Sequence, residues 1–309
     1  NIDCIDLKSD RIRYAVFSIL KIIWKKKPDI IFSTANHLNR LLCFLKRFFP
    51  QKSKLIVRES SIASIKKSQN NKFNLPNNLI KMKSYNKADK IICQSNFMKN
   101  DLINNYDLSI NEISTIRNPI NFQKIQSEKD NFNPFKNSNS YPNILSIGRL
   151  EKVKGFEKII YSMPKLLDEK PNAKLWILGE GSEGKNLQSV INNYNLSSKV
   201  KLYGFVDNPY AWLANVDLFV LSSNYEGLPN VLLEAIACKC PVVSLKHPGG
   251  TKEIFELLNI EDRYVDELNW ENGWFKNSSE QTFDKFYNNF NLKNIGSKYL
   301  NVFKEVHNH

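Results

Sequence analysis

Residues 222–243 read SSNYEGLPNVLLEAIACKCPVV, and the fold turns on how that stretch divides. Just ahead of it, Leu218-Phe219-Val220-Leu221 is an apolar, branched run short enough for a buried parallel strand. Residues 222–228 then form a Gly-bearing loop, and Pro229 stands at the first helical position, where a missing N–H costs little. The pattern predicts a helix over 230–237 and a further strand from Pro241. A strand, a loop and a helix start in that order make an anion site, because unpaired backbone N–H groups and the helix dipole favour negative charge there.

Two carboxylates bracket this unit. Glu226 lies in the loop, where its head can meet ligand hydroxyls. Glu234 is about one and a half turns into the helix, and helical side chains lean back toward the N-terminus. A carboxylate so placed can accept both hydroxyls of a ribose, as the acid of dinucleotide-binding folds does. The spacing alone fits equally an exposed loop Glu and a solvated helix Glu.

The segment 143–155, NILSIGRLEKVKG, adds weight to the first reading. A strand over 143–147 turns at Gly148, and Arg149 and Lys154 precede a helix over 156–167. Two fixed cations near a helix start suit a diphosphate leaving group: Arg supplies a planar fork, Lys a point charge. Further motifs follow in Gly179-Glu180-Gly181, Gly204-Phe205-Val206 and Gly249-Gly250-Thr251-Lys252-Glu253-Ile254.

In order and spacing these motifs resemble the retaining glycosyltransferases of family 4, over nearly all of residues 88–256. The resemblance implies an α/β chain of the GT-B fold, two Rossmann-like domains whose parallel sheets face each other across a cleft. It implies an acceptor-side domain over 1–138, a nucleotide-sugar domain over 139–290, and a helix over 291–309 packing back on the first. Arg149, Lys154 and Glu226 are the implied catalytic residues. Gly148, Glu180, Gly204, Phe205, Val206, Gly227, Leu228, Pro229 and Glu234 are the implied donor contacts, with Glu253 bracing the Gly249-Gly250 loop. Fixed cations replace Mg²⁺, so neither a metal nor a cofactor beyond the donor is expected.

The activity so implied is transfer of a hexose or N-acetylhexosamine from a nucleotide-diphosphate sugar, UDP-linked, to a lipid-linked glycan. The acceptor would be an undecaprenyl-diphosphate-linked glycan of lipopolysaccharide, capsule or protein glycosylation. The expected location is cytoplasmic, peripheral on the inner face of the cytoplasmic membrane. Two other readings stay open: a nucleotide-sugar-binding remnant without catalysis, and a GT-B epimerase of UDP-N-acetylhexosamine. The epimerase needs histidines around the sugar, and the chain is poor in them.

Two departures qualify the resemblance. The family's first strand and Gly-rich acceptor loop would precede Ile2, so the chain reads as N-terminally truncated. Where many members carry a histidine after the third strand, this chain has Arg58-Glu59. His37, the single histidine of the first half, follows a predicted strand at 29–33. His37, Arg58 and Glu59 are the acceptor-side candidates, against an incidental placement for each.

Composition bounds the rest. The chain has 309 residues, 42% of them hydrophobic, enough for two cores. No run of 18 apolar residues suggests a membrane span. Five cysteines without a CxxC pair are expected as core thiols rather than zinc ligands. Residues 1–140 hold 25 Lys and Arg against 11 Asp and Glu, and the remainder 19 against 20, giving the formal +13. A field confined to one half points to a partner. No RNA-binding signature, recognition helix or aromatic ladder accompanies it, so nucleic acid is not expected. An anionic membrane leaflet is, although a compositional bias toward Lys, Asn and Ile would also raise the total.

Within the first half, strands are expected at 2–7, 29–33, 54–57, 88–95 and 113–116, and helices at 10–26, 38–49 and 96–105. The 38–49 helix sets Leu41, Leu42, Leu45, Phe48 and Phe49 beside Arg40, Lys46 and Arg47. Such a face suits either a membrane surface or a sheet. Polar residues 64–78 read as a loop, 123–141 as a linker, and 259–280 as a possible insertion. Alternating strands and helices predict parallel sheets with ligands beyond the strands' C-terminal ends.

Overall fold

The computed structural model describes residues 3–9, 14–65, 84–106, 108–136 and 139–308. They group into two compact units, Asn1–Arg117 with Gly296–His309, and Asn118–Ile295.

The first unit is built on a parallel sheet of β1 (Ile30–Ser33), β2 (Lys54–Arg58), β3 (Lys90–Cys93) and β4 (Ile113–Thr115), in that order. Leu55, Ile56, Val57, Ile91 and Ile92 are wholly buried, as apolar runs are in a sheet covered on both faces. The described helices include α1 (Val16–Lys26), α2 (Asn36–Leu45) and α3 (Asn96–Tyr106). Lys27, at φ 42°, ends α1 just before Pro28. The terminal helix, Leu292–Asn308, supplies its later turns to this unit. There Glu305 pairs with Lys90 at 2.8 Å, and Tyr299 and Phe303 meet Phe32 edge-on.

Several expectations shift here. Residues 3–7 form no strand: Asp3, Cys4, Ile5 and Asp6 are exposed, and no described strand lies beside them to supply the pairing a strand needs. The expected 38–49 helix is α2 followed by a 3₁₀ turn at Lys46–Phe48. Residues 2, 10–13 and 66–78, parts of the expected first strand, first helix and polar loop, lie outside the described residues.

The second unit begins with α4 (Phe122–Glu128) and alternates strand and helix thereafter: β5 (Asn143–Ile147), α5 (Phe156–Glu169), β6 (Lys174–Leu178), α6 (Gly184–Asn193), β7 (Val200–Gly204), α7 (Pro209–Asn215), β8 (Leu218–Leu221), α8 (Asn230–Ala237), β9 (Val242–Leu245), α9 (Thr251–Leu258) and β10 (Tyr264–Val265), with α10 (Glu280–Phe290) last. All six strands are parallel, in the order β10-β9-β8-β5-β6-β7. Alternate residues of β8 serve opposite cores: Phe219 and Leu221 join one cluster, Leu218 and Val220 the other.

Strand order reverses between β5 and β8, so the crevice at their C-terminal ends is the topological switch point, where such sheets bind ligands. Residues 123–141, expected as a linker, are instead part of this unit, since Ile125 of α4 and Phe135 are buried in its core. In the stretch 259–280, Trp270 and Trp274 are buried against the sheet, and the Trp270 indole donates to Ser162 O at 2.9 Å.

Candidate functional site

Two loops leave the switch point, 148–155 after β5 and 222–229 after β8. Backbone and hydroxyl contacts staple them together. Ser222 Oγ donates to Lys154 O at 2.8 Å, Asn224 N to Val153 O at 2.7 Å, and Asn224 Nδ2 to Lys152 O at 2.8 Å. Gly155 closes the first loop at φ 60°, and a Cβ there would lie 2.5 Å from Ser222 O. Only glycine permits both that conformation and that approach.

The staple brings Lys154 to Glu226. Nζ and Oε1 are 2.7 Å apart, and Ser223 Oγ donates to the same oxygen at 2.8 Å. Both side chains are largely buried, at 20% and 15% exposure, so the pair is screened less than a surface ion pair. The Gly249 loop fixes Glu226 from behind: Glu226 N donates to Pro248 O at 3.1 Å and Gly250 N to Gly227 O at 3.0 Å. Gly249 sits at φ 134°, where a Cβ would fall 1.6 Å from Glu226 O. Buried His247 holds this turn, its ring nitrogens 2.8 Å from Leu245 O and 2.8 Å from Thr251 Oγ1. Burial lowers its pKa, which keeps the imidazole neutral. Neither α5 nor α8 has a side-chain N-cap. Leu228 and Pro229, at the start of α8, are buried.

Glu234, in the second turn of α8, is half-buried. Burial raises its carboxyl from 4.5 to about 6, partly offset by Lys124. Among the described residues no hydrogen bond or ion pair engages this carboxylate.

Beside the staple lies a cavity of about 320 Å³ lined by Gly148, Arg149, Glu180, Phe205, Val206 and Pro209, with Ile147, Leu178 and Gly179. An apolar floor with a few polar groups suits a planar base. Gly204, at φ 92°, ends β7 beside it, and its carbonyl accepts Gly179 N at 2.7 Å. Arg149 departs from expectation. Its side chain is 74% exposed and Nη1 meets Glu151 Oε1 at 2.7 Å, whereas Lys154 turns inward to Glu226. An exposed guanidinium takes the carboxylate two residues away.

The acceptor-side candidates lie in the first unit. His37 is exposed in the first turn of α2. The loop after β2 is tied to that turn, because Asn36 Nδ2 donates to Ser61 Oγ at 2.6 Å and Asn39 Nδ2 to Arg58 O at 2.8 Å. Arg58 is half-buried, and its guanidinium interacts with Tyr299. Glu59 is 2% exposed, and its carboxylate accepts from Tyr85 OH at 2.6 Å and Ser61 Oγ at 3.2 Å. That carboxylate braces the loop rather than facing out.

Of the expected site residues, the structure joins Lys154 with Glu226, and Gly148 and Arg149 with Glu180, Phe205 and Val206. Ser222, Ser223, Asn224 and Pro209 were not among them. The serines' position next to Glu226 was the available signal. Cys43, Cys93, Cys238 and Cys240 are buried and unpaired, and Cys4 is exposed. Among the described residues no group of three His, Cys, Asp or Glu could hold a metal ion.

The family model described as Glycosyl transferases group 1 matches residues 127–271. The chain is 34% identical over 227 residues to the N-acetylgalactosamine-N,N'-diacetylbacillosaminyl-diphospho-undecaprenol 4-alpha-N-acetylgalactosaminyltransferase of Campylobacter jejuni, covering 71% of this chain and 58% of that protein. It is 33% identical over 261 residues to an uncharacterized glycosyltransferase of Methanocaldococcus jannaschii, covering 80% and 63%. The chain thus spans about three fifths of the length of these curated relatives. The crystal structure of Anabaena HepE with UDP-glucose matches with a TM-score of 0.75 at 17% identity, over 94% of this chain and 82% of that one. At that identity the likeness is one of fold, α/β with two sheets of parallel strands. Residues 127–271 therefore match the Glycosyl transferases group 1 family, in a chain of the GT-B fold.

Proposed function

We propose that this chain is a retaining glycosyltransferase of family 4 that moves a hexose or N-acetylhexosamine from a UDP-sugar to a lipid-linked glycan. The observation carrying this reading is the Lys154–Glu226 pair, stapled at the switch point beside a base-sized cavity. The base would enter that cavity between Phe205, Val206 and the Gly148 turn, within reach of the backbone at 204–206 and of Glu180. Glu234 would accept the ribose hydroxyls, and the uncapped start of α8, with the backbone of Gly227, Leu228 and Pro229, would meet the diphosphate.

Donor binding then exchanges partners. Lys154 turns from Glu226 toward the diphosphate, and Arg149, free to rotate in solvent, leaves Glu151 to join it. Glu226, released, holds the sugar hydroxyls. Positive charge waiting where the leaving group gains negative charge lowers the barrier. Fixed cations perform the service that Mg²⁺ gives elsewhere, so the transfer needs no metal. The Campylobacter relative's name specifies a diphospho-undecaprenol acceptor, and the HepE structure holds UDP-glucose. Both support a UDP donor and an undecaprenyl-diphosphate-linked acceptor for cell-surface glycans, met at an anionic inner membrane face. Acceptor contacts fall to His37 and Arg58, with Glu59 bracing their loop.

The test compares Lys154→Ala with the parent in turnover and in UDP-sugar affinity, with EDTA present. Turnover is expected to fall by about a hundred- to a thousandfold, with a much smaller loss of affinity. Equal losses would show that Lys154 binds the ground state and transition state alike, against its assigned role.

A further inference from the structure

His247 is the single histidine of the second unit. It lies just past the C-terminal end of β9 and is 8% exposed. Its N–H donates to Tyr264 OH at 2.9 Å, and the same hydroxyl donates to its carbonyl at 2.6 Å. In the ring, Nδ1 is 2.8 Å from Leu245 O and Nε2 2.8 Å from Thr251 Oγ1. A carbonyl can only accept, so Nδ1 carries the ring proton and Nε2 accepts from the Thr251 hydroxyl. Strand β10 brings Tyr264 beside β9, and α9 brings Thr251 as its first residue. Three elements thus close on one residue.

The next three residues carry that clamp to the donor site. Glu226 N donates to Pro248 O at 3.1 Å, Gly250 N lies 3.3 Å from Glu226 O, and Gly249 forms a parallel bridge with Glu226. Both backbone polar groups of Glu226 are therefore set by the turn that His247 and Tyr264 hold. Its carboxylate is held separately, by Lys154 and Ser223. In the partner exchange described for donor binding, Lys154 leaves that carboxylate for the diphosphate. The backbone clamp and Ser223 are then what keep Glu226 against the sugar.

We infer that His247 and Tyr264 are positioning residues for sugar transfer, fixing the 248–250 turn so that Glu226 keeps its place once Lys154 turns away. The inference rests on the donor-side reading of Lys154 and Glu226. The clamp needs a neutral ring. A proton on Nε2 removes the acceptor that Thr251 uses and leaves a cation in a buried site. Lys154 and Lys158 face that ring, with Glu226 as the opposing acid. Lys246, paired with Asp266 at 2.7 Å, flanks it from the end of β9, and α9 brings Lys252 and Glu253 in its first turn. Burial holds the ring below its ordinary 6.5. The neutral clamp is thus complete above pH 6.5 and is lost as pH falls through the lowered value.

The test uses the full chain with UDP-glucose and UDP-N-acetylgalactosamine as donors and water as acceptor, reading UDP release at saturating donor. Saturation removes the effect of Glu234 on donor affinity. Tyr264→Phe and Thr251→Val each delete one hydroxyl and are expected to lower kcat by about fivefold, with UDP affinity at the parent value. The parent's kcat is expected to fall below pH 6.5. His247→Asn keeps a donor near Leu245 O but cannot titrate, and is expected to flatten that fall. NMR of the ring nitrogens, assigned by their loss in His247→Asn, is expected to show the Nδ1–H tautomer and titration below 6.5. Parental kcat in both hydroxyl variants would overturn the proposal, since the clamp would then be structural alone. So would an equal loss of kcat and UDP affinity, an acid limb that survives in His247→Asn, or an Nε2–H tautomer. Failure of the donor-side reading looks different: the parent itself would bind no UDP, whatever the tautomer of His247.

Discussion

At the scale of single residues, Glu234 offers the clearest chemical handle. Burial pushes its carboxyl up from 4.5 to about 6, with Lys124 pulling the other way. A raised carboxyl pKa contributes stability that is complete below 4.5 and lost as pH rises through about 6. Ligand binding has the opposite sense, since a carboxylate accepts hydroxyl donors more strongly than a neutral acid does. A UDP-sugar carries no phosphate group titrating in this range, so calorimetric titration reads the protein alone. Its affinity is expected to rise several-fold between pH 5 and pH 7, and Glu234→Gln to flatten that rise. A profile unchanged by Glu234→Gln removes the residue from the ribose site.

Single residues also show what the sequence could and could not reveal. Lys154 and Glu226 were legible because each follows an apolar run short enough to be a strand, and the two strands are neighbours at the switch point. Arg149 was expected beside Lys154, yet side-chain direction depends on the nearest carboxylate, Glu151, which local spacing alone did not decide. Glu59 ends up inward because Tyr85, in a 3₁₀ turn 26 positions along the chain, hydrogen-bonds it. A contact of that separation leaves no local pattern.

Elements carry the next level of the account. The loops after β5 and β8 form one structure through Ser222 and Asn224, although their contacts bridge 68 to 72 positions of sequence. No periodicity encodes such a staple; it follows from strand order, which places β5 and β8 side by side. The strands themselves were readable from apolar runs, apart from the one expected at 2–7 and from β10, which falls in the stretch 259–280 read as a possible insertion. At 2–7, no described strand pairs with the residues that the structure describes. Ser222 is 1% exposed, so Ser222→Ala leaves the Lys154 carbonyl without its donor at a cost of about 1 kcal/mol. Thermal denaturation is expected to record that modest loss. Turnover is expected to fall by about fivefold, because the loop carrying Lys154 loses one of its three ties to the loop carrying Glu226. A variant with the stability loss and parental turnover would make the staple purely structural.

For the molecule as a whole, charge and topology distinguish the two units. The second unit is nearly neutral in sequence and holds the doubly wound sheet with the donor-side motifs. The first is strongly basic. Among the described residues no helix is long and apolar enough to cross a membrane. The central claim is that the switch point of the second unit grips a nucleoside diphosphate with protein groups alone. Isothermal titration of UDP into the full chain, in buffer containing EDTA, tests it most directly. The account predicts saturable binding at one site per chain, no tighter when Mg²⁺ replaces the chelator; no binding, or binding that appears only with Mg²⁺, would contradict it.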